Sequence, residues 1–384
     1  MATRRPISGG RNSELLVGLS PPLRLGRYLF FPIIALACAT KVPPPQAPDP
    51  KESVAINVAR AFKVDRPRAT RDLTELTRVP HVFGTDRQKE LAQWLTKSLQ
   101  ADGLKAEVEE FTAEVPASIT NAGIGVSQLT EKVTGRNVVA TLKPANQDSG
   151  RAPACVIALA SHFDSKKISN GDYVGANDSG SSTALLLQIM AYLQRSQEST
   201  KLPCSFVALF FDGEEAVLPN WFDGQYQHPA RIIDHTYGSR YSASRLDRCS
   251  SKSQTQLCMP LDPLWGTTKG TGPQLEGLVL LDMVGTPDLK LTRESESTPA
   301  LMQDALRGAT LLGQPSLFDS VPNKVEDDHT AFLERGVNAL DIIDFTHLQH
   351  WHQPSDTAAT VSLDSLELAG RVAIFAAAKA NLRH

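Results

Sequence analysis

The stretch Ala154-Cys155-Val156-Ile157-Ala158-Leu159-Ala160-Ser161-His162-Phe163-Asp164 passes without a break from apolar residues to a histidine and an aspartate. A short, continuous apolar run of this kind reads as a strand buried on both faces, the signature of the parallel part of an α/β sheet. The pattern recurs at Ser205 to Phe211, which ends in Asp212-Gly213-Glu214-Glu215, and at Leu278 to Leu281, which ends in Asp282. It recurs again at Ala339 to Asp344, which leads to Trp351-His352. Asp178, in Gly175-Ala176-Asn177-Asp178-Ser179-Gly180, precedes an apolar helix from about Ala184 to Gln194, an N-cap position where the helix dipole favours an anion. Open α/β sheets bind their ligands outside the carboxyl ends of the strands, so all these polar groups are expected at one edge.

Outward from these strands, helical and strand patterns alternate along the chain with no internal repeat and no central linker. The expected fold is therefore α/β, a single domain with a central mixed, mostly parallel β-sheet flanked by helices. Helices are predicted at Val54 to Arg66, Ala69 to Thr77, Arg87 to Asp102 with Asp86 as cap, Pro299 to Leu312 and Ser362 to Asn381. Further strands are predicted around Ala106 to Phe111 and Asn137 to Leu142. Leu218 to Glu276 lacks periodicity and reads as a long excursion over one face.

The chain has 384 residues, 41% of them hydrophobic, and a formal net charge of −3. That composition supports a large core, and the absence of a basic stripe argues against a nucleic-acid partner. Arg24 and Arg27 precede the apolar run Tyr28 to Ala37, which is too short to span a bilayer and suits a signal-peptide core. Ala35-Leu36-Ala37-Cys38 resembles a bacterial lipobox, with Ala35 where Leu is usual. Residues 1–37 are thus expected to be a lipoprotein-type signal peptide, 38–52 a Pro-rich tether, and 53–384 a catalytic domain. The expected location is periplasmic, anchored to a membrane through lipidated Cys38, or secreted, and a monomer is expected. The other four cysteines suit an oxidising compartment. Cys249 with Cys258 can close a short loop; Cys155 and Cys204 can pair if their strands are neighbours in register, and are otherwise two buried thiols.

Zinc accepts imidazole and carboxylate ligands, and a catalytic site keeps one position open beside three protein groups. Asp178, Glu215 and His352 supply such a set. His162 and Asp282 are the further pair that a second metal needs, bridged to the first through Asp178. Asp164 is placed to support the ligands from behind. With Glu215 on the metal, its neighbour Glu214 is free to shuttle a proton, burial and nearby carboxylates raising its pKa. Trp221 and Trp351 are candidate walls of a substrate pocket. His347 and His350 read as a polar loop, and His329 as a supporting partner rather than a ligand.

Taken in order, His162-Phe163-Asp164-Ser165-Lys166, Val174 to Ser179, Phe210 to Ala216, Tyr237-Gly238-Ser239-Arg240, Leu280 to Gly285, Asp327-Asp328-His329 with Phe332-Leu333 and Arg335-Gly336-Val337, and Trp351-His352 resemble the M28 metallopeptidase superfamily over about Asp72 to Asn381. Within it they are most similar to the glutaminyl-peptide cyclotransferases. The resemblance implies a zinc aminopeptidase-like sandwich of the α/β-hydrolase type and one zinc per chain on Asp178, Glu215 and His352. It also implies Glu214 as acid/base, Asp282 and Asp327 as a hydrogen-bonded carboxyl pair beside the leaving group, and Trp221 and Trp351 in the pocket. The chain departs from the animal enzymes at Ser161, where they carry Cys, and at His347, where they carry Phe.

The implied reaction closes an N-terminal glutamine of a peptide or protein to pyroglutamate with release of ammonia. Because the chemistry is contained in the first residue, later residues are expected to matter little. The rival is a two-zinc aminopeptidase that uses His162 and Asp282 as well. A non-catalytic binding module is expected to lose ligands, and none is lost here.

Overall fold

The apolar runs form the centre of one eight-stranded sheet. The computed structural model describes residues 47–117, 129–142, 153–200, 202–249, 256–259 and 272–383. The segment expected to be a signal peptide, Cys38 and most of the expected tether lie outside the described residues. Among the described residues no helix is long and apolar enough to cross a membrane.

Strands β3 (Cys155–His162), β4 (Ser205–Phe211), β7 (Gln274–Asp282) and β8 (Ala339–Ile343) run parallel in the order β4-β3-β7-β8. Two long strands, β1 (Lys105–Pro116) and β2 (Thr130–Thr141), continue the sheet antiparallel beyond β4. On the other side a short hairpin, β5 (Asp247–Arg248) and β6 (Leu257–Cys258), pairs with the start of β7, while β8 pairs with its end. Every residue of β3 and β8 is buried.

That burial is two-sided, because successive side chains of a strand point to opposite faces. Ile157, Leu159, Phe206, Phe210, Val279 and Leu281 share one core with α4 (Ser182–Thr200), α7 (Pro299–Leu311) and α9 (Leu363–Asn381). Val156, Ala158, Val207, Leu209, Leu278 and Leu280 face the other way. There they meet Ala243 of α6 (Tyr237–Ser244) and Ala331 and Phe332 of α8 (Asp328–Glu334). The amphipathic α3 (Asp86–Ala101) lays Leu91, Leu95 and Leu99 on the first core beside Val138 and Ala140.

Some boundaries differ from expectation. The helix read as Val54 to Arg66 is broken: α1 (Pro50–Ala61) ends before Phe62, and α2 (Arg66–Leu76) starts afresh behind the N-cap Asp65. Pro67 explains the break, since proline fits the first turn of a helix and not its interior. Because α1 starts at Pro50, with Glu52 paired to Arg307, the last residues assigned to the tether belong to the folded unit. Thr85 rather than Asp86 caps α3. Asp178 is not an N-cap either; it lies inside a π-helical turn, Ala176–Ser181, with non-helical backbone angles. Cys155–Cys204 and Cys249–Cys258 are both disulfides, the first joining the starts of two strands in register at Val156 and Ser205. The excursion contains α5 (Asp223–Tyr226) and α6 as well as the disulfide-closed hairpin.

Leu95 is fully buried between α3 and the sheet. Leu95→Ala is expected to cost about 2–5 kcal/mol, from lost transfer energy and the residual cavity. Urea unfolding should show a lower midpoint at unchanged slope.

Candidate active site

The strand ends deliver what their sequences promise. His162 is the last residue of β3 and Asp282 the last of β7. Glu214 and Glu215 follow β4 through a turn at Gly213, whose φ of 74° suits glycine and whose added Cβ would lie 2.7 Å from the Phe83 ring. His352 comes from the loop after β8, at a φ of 53°.

Two sets of donor atoms meet at Asp178. His352 Nε2 lies 3.1 Å from Glu215 Oε1 and 3.5 Å from Asp178 Oδ2. His162 Nε2 lies 3.2 Å from Asp178 Oδ1, 3.3 Å from Asp282 Oδ1 and 3.8 Å from Glu214 Oε2. Within each set the donor atoms are all within 4.8 Å of one another. Both His162 ring nitrogens, Glu215 Oε2 and Asp282 Oδ1 are buried without a hydrogen-bond partner. Orphaned imidazole and carboxylate donors at this spacing fit a metal ion.

The electrostatics follow from burying so many acids together. Burial pushes the Glu214 carboxyl well above its usual range; Glu215, Asp327 and Asp328 push it further, against the pull of His162. Burial likewise raises Asp282, to about 7, although His162 draws it down. Asp178 goes the opposite way: the penalty of burial is outweighed by His162 and His352, which hold it below the usual range. Burial disfavours the charged form of His352, yet Glu215 and Asp178 raise it to about 10. Each shift is that of a charge whose neighbours, rather than water, decide its state.

Behind these groups stand carboxylates that grip backbone. Asp164 accepts from the N–H of Glu214 at 3.0 Å and of Glu215 at 3.2 Å, which orients the adjacent pair. Residues without a sequence signal do the same elsewhere. Asp356 accepts from Asn177 N–H at 2.8 Å and Asp178 N–H at 3.2 Å, and Tyr173 Oη donates to Asp178 Oδ2 at 2.8 Å. Asp234 accepts from Val217 N–H at 3.2 Å and Leu218 N–H at 2.8 Å, while Lys166 Nζ donates to the carbonyls of Ala216 and Leu218.

A cavity of about 580 Å³ opens onto Asp178, Glu214, Glu215, Asp282, Asp327 and His352. Both expected tryptophans line it. Trp351 stacks on His352 at 4.2 Å and meets Phe345 edge-on at 5.7 Å; Trp221 stacks on His235 at 4.0 Å. Asp282 and Asp327 both reach the cavity. Asp327 also accepts from Asp328 N–H as the cap of α8; its Oδ2 has no hydrogen-bond partner among the described residues, and Asp282 Oδ1 faces only His162 Nε2, at 3.3 Å. His329 is buried between Glu294, at 3.4 Å, and Asp341, at 3.9 Å. His347 and His350 bond to Asp344 and Ser355, outside both donor sets at Asp178.

Residues 137–377 match the profile of Peptidase family M28, well over half of the chain. The glutaminyl-peptide cyclotransferase-like protein of Mus musculus is 30% identical over 321 residues, covering 79% of this chain and 72% of that protein. The chain belongs to peptidase family M28, in its glutaminyl-peptide cyclotransferase branch. The glutaminyl-peptide cyclotransferase of Drosophila melanogaster is 25% identical over 304 residues, covering 74% of this M28 chain and 72% of the fly protein. The crystal structure of Acidobacteriales bacterium glutaminyl cyclase matches with a TM-score of 0.60 at 25% identity, over 90% of this chain and 100% of that one. A leucine aminopeptidase precursor from Bacteroides thetaiotaomicron has the same fold, with a TM-score of 0.62 at 20% identity over 82% of this chain and 97% of its own.

Asp356→Ala removes the acceptor that two consecutive N–H groups share at Asp178. It is expected to weaken metal affinity by about 10–100-fold, measured by competition with a chromogenic chelator; an unchanged affinity would show that Tyr173 and the turn position Asp178 by themselves.

Proposed function

We propose that this protein is a zinc-dependent aminoacyltransferase that converts the N-terminal glutamine of peptides and proteins to pyroglutamate with release of ammonia. The observation that carries the proposal is the grouping of Asp178, Glu215 and His352 at one end of a cavity whose same end presents Glu214, Asp282 and Asp327. Asp178, Glu215 and His352 are the residues that hold zinc in this proposal. Bound there, zinc supplies a Lewis acid for a carbonyl oxygen. The two disulfides support the reading of a protein exported to an oxidising compartment.

Glu214 is the base. The α-amine nitrogen bonds to the γ-carbon of its own side chain while the bond from that carbon to the amide nitrogen breaks. The proton given up by the amine passes through Glu214 to the departing nitrogen, which leaves as ammonia. Asp282 and Asp327, which both line the cavity, accept from the side-chain amide and hold it in place. Trp221 and Trp351 keep the side chain folded back on the amine, so that a tethered nucleophile gains an effective molarity on the order of 10⁵ M or more.

One observation favours a second reading. His162, Asp178 and Asp282 gather into a further donor set, the arrangement of a two-zinc aminopeptidase in which Glu214 serves a bridging water. Mass spectrometry of the products separates the two. Cyclisation leaves the peptide bond intact and lowers the mass by one ammonia, and an N-acetylated glutaminyl peptide is inert; release of free N-terminal amino acids would establish the peptidase.

Replacing Asp178, Glu215 or His352 by Ala is expected to abolish zinc binding and turnover together. Glu214→Gln should instead retain zinc and lose about 10²–10⁴-fold in kcat. Near-normal turnover in that variant would remove Glu214 from the mechanism.

A further inference from the structure

The cavity is larger than a single glutamine side chain fills, within the range that buries a drug-sized ligand. Its inner end is made of buried acids, and its outer end of Pro219, Asn220, Phe222 and Lys324, all exposed. Phe222 is 46% exposed although it lines the cavity, and Tyr226, four residues on, is 62% exposed. Their rings are 6.0 Å apart and bracket the single turn of α5. Single exposed apolar residues are ordinary; two large aromatics side by side at the mouth of a reaction cavity are not explained by packing.

We infer that Phe222, with Tyr226 behind it, forms a subsite for apolar side chains at the second and third positions of the substrate peptide. The inference rests on the cyclase reading above. Its occupant follows from continuity: Phe222 belongs both to the cavity that holds the reacting residue and to the exposed pair outside it. Successive residues of an extended peptide advance by about 3.3–3.6 Å, so a peptide whose first residue lies against the acids carries its second side chain to this rim. Lys324, which also lines the cavity, is paired with Glu296 at 2.9 Å, and Glu326 lies beside it in the lining, so Lys324 is not free to favour an acidic side chain. The subsite qualifies the expectation that residues after the glutamine matter little. They stay outside the chemistry but alter binding.

The test is kcat and KM for Gln-X-Ala-amide peptides with X as Phe, Leu, Gly or Glu. Wild-type enzyme should favour Phe and Leu over Gly and Glu by about tenfold in kcat/KM, through KM, because a remote contact is made equally in ground and transition states. The double variant F222A/Y226A should bring that ratio to about twofold or less, with zinc content and melting temperature as checks on the fold. Wild-type ratios near unity overturn the subsite, as does a tenfold ratio that survives in the double variant. A flat profile with a change of particle mass in light scattering assigns the aromatic pair to self-association and equally overturns it. Failure to cyclise any of the four peptides overturns the cyclase reading itself.

Discussion

Burying Asp178, Glu214, Glu215, Asp282 and Asp327 together at the end of one sheet is the constraint on which the rest of this structure depends. Two like charges about 4 Å apart repel by about 4 kcal/mol even at an effective dielectric of 20, so the cluster survives only with protons, cations or directed hydrogen bonds. Against the penalty of burial, these acids raise the pKa of both His162 and His352; a ring that binds a metal is neutral, and the cation then supplies the positive charge in its place. The oxygens and ring nitrogens left without partners mark where a metal cation would complete the balance. Stability and function thus draw on the same charges.

The scaffold meets this demand with backbone. Asp164, Asp356 and Asp234 each accept two consecutive N–H groups and so pin the turns that carry Glu214, Asp178 and Leu218. Charge-assisted bonds of this kind contribute about 1.5–3 kcal/mol each, and they fix turns that would otherwise be loose. Lys166 supplies the opposite half, donating to two carbonyls of the loop after the glutamate pair.

How much of this was legible depends on where each residue sits. His162, Asp282, Glu214 and Glu215 stand at or just beyond the ends of buried strands, where an apolar run stops at a polar group and periodicity does the locating. That β4, β3, β7 and β8 run parallel follows from the same runs, but their order in the sheet does not. Asp356 and Tyr173 belong to loops with no period, and their partners are backbone N–H groups and the Asp178 carboxylate, pairings that composition does not reveal. Asp327 also caps α8, a local commitment invisible until the helix start is placed. Asp178, expected at a helix cap, lies instead in a π-helical turn, which leaves no mark in the residues that form it.

The account stands or falls on what neutralises the buried acids. Anomalous diffraction above and below the zinc edge, from crystals of the purified protein, would reveal this directly. One strong peak bounded by Asp178, Glu215 and His352 is predicted. Two peaks of equal height, the second bounded by His162, Asp178 and Asp282, would contradict it.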